Sequence, residues 1–188
     1  MDSVNNHLPP GLSDSHMEIW ADENMDIFIL KDGRKQSLNE IDKETKQMLY
    51  DDMLQHPFSV ACLNKMGFIR RPAMLKQYLA CRYGNFDHTP DFTSEGNTNS
   101  DYFNCGKRGS CRFEGKLCDK IKVAKGYLTK TEIHVVQMMA LDLPDKQIAE
   151  ILGMAENTLK NHKAAIFEKM EVHSKVGMAS FAFEHSLI

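Results

Sequence analysis

Between residues 128 and 183 the apolar positions fall into four short runs with the three-and-four spacing of amphipathic helices. In the first, Ile133, Val136, Met139 and Ala140 share a face, and Thr129 with Glu132 three residues later marks its start as a capping box. Leu143, Pro144 and Asp145 break the pattern. A second run places Ile148, Ala149, Ile151 and Leu152 on one side, with Gly153 at the position of a left-handed cap. The third, from about Glu156 to Met170, buries Leu159, Ile166, Phe167 and Met170, and its first turns are polar. The fourth follows Ser174 and carries Val176, Ala179, Phe181, Ala182 and Phe183.

The earlier chain is less regular. Residues 1–24, with Pro9, Pro10 and Gly11, read as a flexible N-terminal arm. Residues 25–33 hold a short apolar run closed by Asp32 and Gly33, a strand and turn. Ser37 and Glu40 form a second capping box ahead of Ile41, Met48, Leu49 and Leu54, so a helix is expected there until Pro57. Further helices are expected over 58–66 and 72–82, and residues 83–100 as loop. The expected fold class is mainly α, divided into an arm (1–24), a mostly helical regulatory or dimerisation module (25–101), a basic Cys-containing loop or linker (102–125) and a helix-turn-helix domain (126–188).

The third helix carries the chemistry. Asn157, Thr158, Lys160, Asn161, His162 and Lys163 sit in its N-terminal turns, where amides and ammonium groups reach base edges and phosphates in a major groove about 12 Å wide. A polar solvated face on a protein-interaction helix is the plainer alternative.

Positional detail favours the first. Leu128, Thr129, Glu132, Val135 and Val136, then Lys146 to Ala149 with Leu152, then Thr158, Leu159, Lys160 and His162, then Ile166, Lys169, Met170, Val172, Ser174 and Lys175 fall at the spacings of one family. The segment resembles the LuxR-type helix-turn-helix domain of bacterial transcription regulators. The resemblance implies that Lys160, Asn161 and Ala164 face the groove, that Thr158, His162 and Lys163 take backbone phosphates, that Asn157 and Lys175 also bind DNA, and that the last helix supplies a homodimer contact through Met178, Phe181 and Phe183. It departs from the family at Asp142, where Gly is usual, at Pro144 and Ala155, where Ser or Thr caps are usual, and at Lys175, where Arg is customary.

Charge modifies this picture. The 188 residues sum to −3, yet residues 1–101 hold 10 basic against 16 acidic side chains, residues 102–124 hold 6 against 2, and residues 125–188 hold 7 against 8. The positive charge precedes the helix-turn-helix, where Lys107, Arg108, Arg112, Lys116, Lys120, Lys122 and Lys125 are either additional phosphate contacts or a solvated run.

Cys105, Cys111 and Cys118 lie in the same stretch at C-x5-C-x6-C spacing, which is not the close pairing of a typical zinc site. Three thiolates there need a fourth ligand, Cys81 first and His88 second, to hold zinc or an iron–sulfur cluster. Reduced thiols are the alternative, and Cys62 reads as core.

No apolar run is long enough to span a bilayer and no export signal opens the chain, so a cytoplasmic protein is expected. No Gly-rich phosphate loop, receiver-type acidic cluster or nucleophile–base order suggests an enzyme. The expected function is a sequence-specific DNA-binding transcriptional regulator acting on double-stranded DNA. The rival is a metal-clipped protein-interaction module, an adaptor or anti-activator, that keeps the fold without reading DNA.

Overall fold

The computed structural model describes residues 8–108, 111–185 and 187–188. The chain divides into two compact units, one of Met1–Gly106 with Arg112–Asp119 and the other of Lys107–Cys111 with Lys120–Ile188. Helix dominates both, and no described helix is long and apolar enough to cross a membrane.

The first unit opens with an antiparallel meander of β1 (Met17–Ala21), β2 (Ile27–Lys31) and β3 (Arg34–Ser37). Ile19 faces Ile29 across the ladder, and Trp20 stacks on Phe28 at 5.7 Å, a cross-strand pair that fixes register. The expected strand and turn at 25–33 is therefore present, but β1 lies inside the segment expected to be a loose arm. The arm is tied down through backbone. Gly33 donates its amide to the Gly11 carbonyl at 2.7 Å, and Gly11, at φ +78°, sits so close that a Cβ there would lie 2.2 Å from the Leu30 carbonyl oxygen. Only glycine fits both the dihedral and the space.

Three helices follow: α1 (Lys43–Gln55), α2 (Pro57–Lys65) and α3 (Arg71–Tyr83). The Ser37–Glu40 pair does bond, with the Ser37 amide and hydroxyl both donating to Glu40, yet α1 starts later. Asp42 supplies the cap by accepting from the Thr45 amide at 2.8 Å, because a Ser-x-x-Glu box closes a turn as readily as it starts a helix. Pro57 begins α2 rather than merely ending α1, as a proline in the first helical turn does without losing a bond. The core collects Ile19, Ile29, Leu49, Met53, Cys62, Leu63, Leu75 and Leu79. Between the helices, Asp52 accepts from Tyr78 at 2.7 Å and Tyr83 at 3.0 Å, and burial pushes the Tyr83 hydroxyl up to about 12.

Residues 84–101 run as an irregular segment stitched to β1. Phe92 and Met17 exchange backbone hydrogen bonds at 2.9 and 3.1 Å, and Asp91 accepts from the Ile19 amide at 2.6 Å. Glu18 accepts from the Asp87 amide at 2.7 Å, and Asp101 accepts from the Asn85 amide. Glu18 and Asp91 are fully buried, each with one carboxyl oxygen lacking a hydrogen-bond partner. Burial drives Glu18 up to about 9 against the pull of the Asp87 amide. Burial with the Asp87 charge takes Asp101 to about 8, and burial with the Asp101 and Glu18 charges raises Asp91 well above the usual carboxylate range.

Part of the expected linker belongs to this unit. Phe113, Leu117 and Cys118 are buried, Arg112 lies over the Phe113 ring at 4.7 Å, and its guanidinium donates to the Lys65 carbonyl at 3.3 Å. Burial of Phe113 and of the adjacent pair Leu117 and Cys118 outweighs the surrounding basic residues.

The second unit has a two-stranded hairpin, β4 (Lys122–Val123) with β5 (Gly126–Tyr127), and four helices. These are α4 (Lys130–Ala140), α5 (Asp145–Ile151), α6 (Glu156–Met170) and α7 (Lys175–Glu184). Its core is Leu128, Ile133, Val135, Val136, Met139, Ile148, Ala149, Leu159, Ile166, Met170, Met178 and Ala182. All four expected helices form. Three positions differ from the expected faces: Ile151 is 54% exposed at the end of α5, Phe167 is only half-buried, and Met178 is fully buried.

Candidate nucleic-acid interface

The helix-turn-helix is built from α5, a turn and α6. Ile148 and Ala149 of α5 and Leu159 of α6 are buried, and the small Ala149 side chain lets the two helices approach closely. At the turn Gly153 takes φ +64°, the Gly153 amide donates to Glu150 and the Met154 amide to Ala149. That pair of bonds is a helix-ending motif for which a left-handed glycine is suited. Ala155 then sits in extended conformation at the N-cap of α6 and offers no side-chain acceptor, and Pro144 does likewise at α5. The first amides of α6 are left without a side-chain partner at their N-cap, which leaves them open to a phosphate.

Once Leu159, Ile166 and Met170 fix which side of α6 faces inward, the opposite face is determined. Asn157, Lys160, Asn161 and Ala164, at i, i+3, i+4 and i+7, are all exposed and form one stripe. Thr158 is exposed beside it, and His162 is half-buried. The Lys160 ammonium has no acidic partner among the described residues, so its charge is uncommitted. Amides, an ammonium and a small residue along one face can read base edges while permitting close approach. Glu168, one turn beyond on the same side, is exposed and would repel phosphate, which limits the usable face to the N-terminal three turns.

The flanking cations are differently disposed. Lys163 is paired with Asp145 at 2.7 and 2.8 Å and is only 16% exposed, tying α6 to the start of α5. Lys175 reaches Asp142 at 3.1 Å. Asp142 itself holds φ +57°, which accounts physically for glycine being usual there; aspartate is among the residues that tolerate this region. Lys169 bonds Glu132 at 2.8 Å inside the Thr129 capping box. Burial opposes ionisation of Glu132, and Lys169 with the Thr129 amide and hydroxyl outweighs it, holding the carboxyl below its usual range. Lys163 and Lys175 thus act first as internal ties.

Lys146, exposed in the first turn of α5 with no partner among the described residues, joins the uncommitted cations. Its place beside Pro144 at a helix start was the available signal; the family spacing alone had not assigned it a role.

The expected dimer contact is only partly on the surface. Met178 packs in the core where α7 lies on α4, so it is corrected from contact to core residue. Phe181 is half-buried with its ring 4.2 Å from His185, whereas Phe183 and Val176 are 71% and 79% exposed.

None of the five cysteines is in a disulfide. Among the described residues no group of three or more His, Cys, Asp or Glu side chains is arranged to hold a metal ion. Cys118 is buried, the Cys81 sulfur accepts from Gln77 at 3.1 Å, and Cys105 and Cys111 are half-buried. The C-x5-C-x6-C spacing does not bring Cys81, Cys105, Cys111 and Cys118 into such a set.

Residues 127–182 match the family model described as bacterial regulatory proteins, luxR family. Over 61 residues the chain is 36% identical to the Fimbriae Z protein of Salmonella typhimurium, covering 32% of this chain and 29% of that protein. Over a stretch of the same length it is 36% identical to a putative transcriptional regulator of Pseudomonas aeruginosa, covering 32% of this chain and 30% of the relative. The match thus spans less than a third of the length of these relatives. No solved structure matches it.

Proposed function

Residues 127–182 form a luxR-family helix-turn-helix domain, and on that premise we propose that the chain is a sequence-specific DNA-binding transcriptional regulator. The observation that carries this is the exposed stripe Asn157, Lys160, Asn161 and Ala164 on α6, opposite a fully buried Leu159 and Ile166. Asn157, Lys160 and Asn161 supply base-edge contacts, Ala164 allows apolar contact with a thymine methyl, and Thr158 and the first α6 amides take a phosphate. Lys163 and Lys175 contribute field and geometry through Asp145 and Asp142, and His162 lines the edge of the stripe. The chain works without catalysis in this account. Phe183 and Val176 give α7 an apolar face suited to a second copy on DNA.

The test is equilibrium binding to duplex DNA across salt concentrations. Neutralising about six phosphates gives a slope of log affinity on log salt of about −5. Lys160→Glu abolishes site selection, since it puts like charge against the groove. Unchanged binding by that variant would remove α6 from the reading role.

A further inference from the structure

The first unit is acidic overall, yet residues 53–86 contain no Asp or Glu and five basic side chains. Two of these are structurally engaged: Lys76 pairs with Asp26 at 2.6 Å, and Arg82 is largely buried near Asp119. Lys65, Arg70 and Arg71 are exposed, and among the described residues none has an acidic partner. They are close together, Lys65 ending α2 and Arg70 and Arg71 starting α3 across a five-residue turn.

Large apolar side chains share this surface. Phe58 is 82% exposed and Ile69 is 83% exposed, the two most exposed large hydrophobics in the molecule's described part. On α2, Phe58, Ala61 and Lys65 stand at i, i+3 and i+7, so they form one outward stripe that runs into Ile69, Arg70 and Arg71. Ser59, Cys62 and Leu63 on the opposite side are buried and anchor the helix. Exposing two large apolar side chains costs a protein solubility, and placing them among arginines, with acids excluded, is the composition of a protein interface core.

We propose that the outward face of α2 and the α2–α3 turn is a docking surface for an acidic amphipathic segment of a partner protein. The partner's apolar side chains cover Phe58 and Ile69, and its carboxylates pair with Lys65, Arg70 and Arg71. Charge complementarity selects an acidic partner, and the exposed Phe58 and Ile69 select a protein over a bare phosphate backbone, which needs neither. This surface belongs to the first unit alone, and the proposal does not depend on what α6 reads.

The experiment is fluorescence anisotropy with the full chain and three labelled probes. These are a peptide of about 20 residues with leucines at helical spacing among glutamates, a scrambled peptide of the same composition, and a random duplex of about 30 base pairs. The patterned peptide binds at least about tenfold more tightly than the scrambled one. Phe58→Ser and the double variant Arg70→Glu, Arg71→Glu each weaken it by about tenfold or more, while thermal unfolding and duplex affinity stay as in the parent. Because all three positions are exposed, folding is preserved; Ile69→Ser gives the same loss if Phe58→Ser does not express. Equal affinity for the two peptides overturns the proposal. So does loss of duplex affinity in the arginine variant without peptide binding, which would make the surface a phosphate contact.

Discussion

Polar residues are spent in opposite ways in the two units. In the second, Asn157, Lys160 and Asn161 stand outward from a wholly apolar helix core. In the first, Glu18, Asp91 and Asp101 are turned inward and accept from backbone amides of strand and irregular segment, and Asp52 accepts from the Tyr78 and Tyr83 hydroxyls of α3. An outward polar stripe costs little and is available to a ligand. An inward carboxyl costs desolvation and stays in place only where backbone amides and hydroxyls receive it. The α6 stripe of the second unit therefore points to recognition, and the buried carboxyls of the first to architecture.

The contrast is broken most strongly by pH. Glu18 rises to about 9 and Asp101 to about 8 in the folded chain, from 4.5 and 3.8, so between those limits the folded state binds more protons than the unfolded one. Stability must then fall as pH rises through that window. The first unit should melt at a lower temperature at pH 8.5 than at pH 5.5, read by tryptophan fluorescence, because Trp20 lies on β1 beside Glu18. Glu18→Gln, neutral at every pH, should flatten the profile. A first unit that becomes more stable towards pH 8.5 would mean that these carboxyls are ionised in the fold.

Next in size is Gly11→Val. A side chain there meets the Leu30 carbonyl and needs φ +78°, so a loss of about 3 kcal/mol or more is expected in urea unfolding followed at Trp20. Loss under about 1 kcal/mol would show that the N-terminal segment is not integral to the sheet. Smallest is Ala155→Ser, which adds the missing acceptor at the α6 N-cap and should stabilise the second unit by about 1 kcal/mol, seen as a raised circular dichroism midpoint. No gain would mean that the α6 amides are already satisfied.

How far the sequence could be read follows the same division. The second unit was legible because each helix has a marked start and an apolar face: Thr129 with Glu132, Gly153 at φ +64° and Ser174 accepting from Gly177 all do what their residue types favour. Met178 was misplaced because α7 is apolar nearly all round, which hides its inner side. In the first unit local signals competed. Ser37 and Glu40 made a turn instead of a helix start, and Met17–Ala21, besides its hairpin with β2, is held by backbone bonds between Met17 and Phe92 that no local pattern announces. The carboxyl cluster was invisible for the same reason, since Glu18 meets Asp87 across 69 residues of chain.

The most direct measurement is selection from a randomised duplex pool by the full chain, run beside Lys160→Glu and Asn161→Ala. Recognition by α6 gives one enriched sequence for the parent, lost with Lys160→Glu and relaxed at a single position with Asn161→Ala. Equal retention of all sequences by the parent, or the same enriched sequence from all three proteins, would contradict recognition by α6.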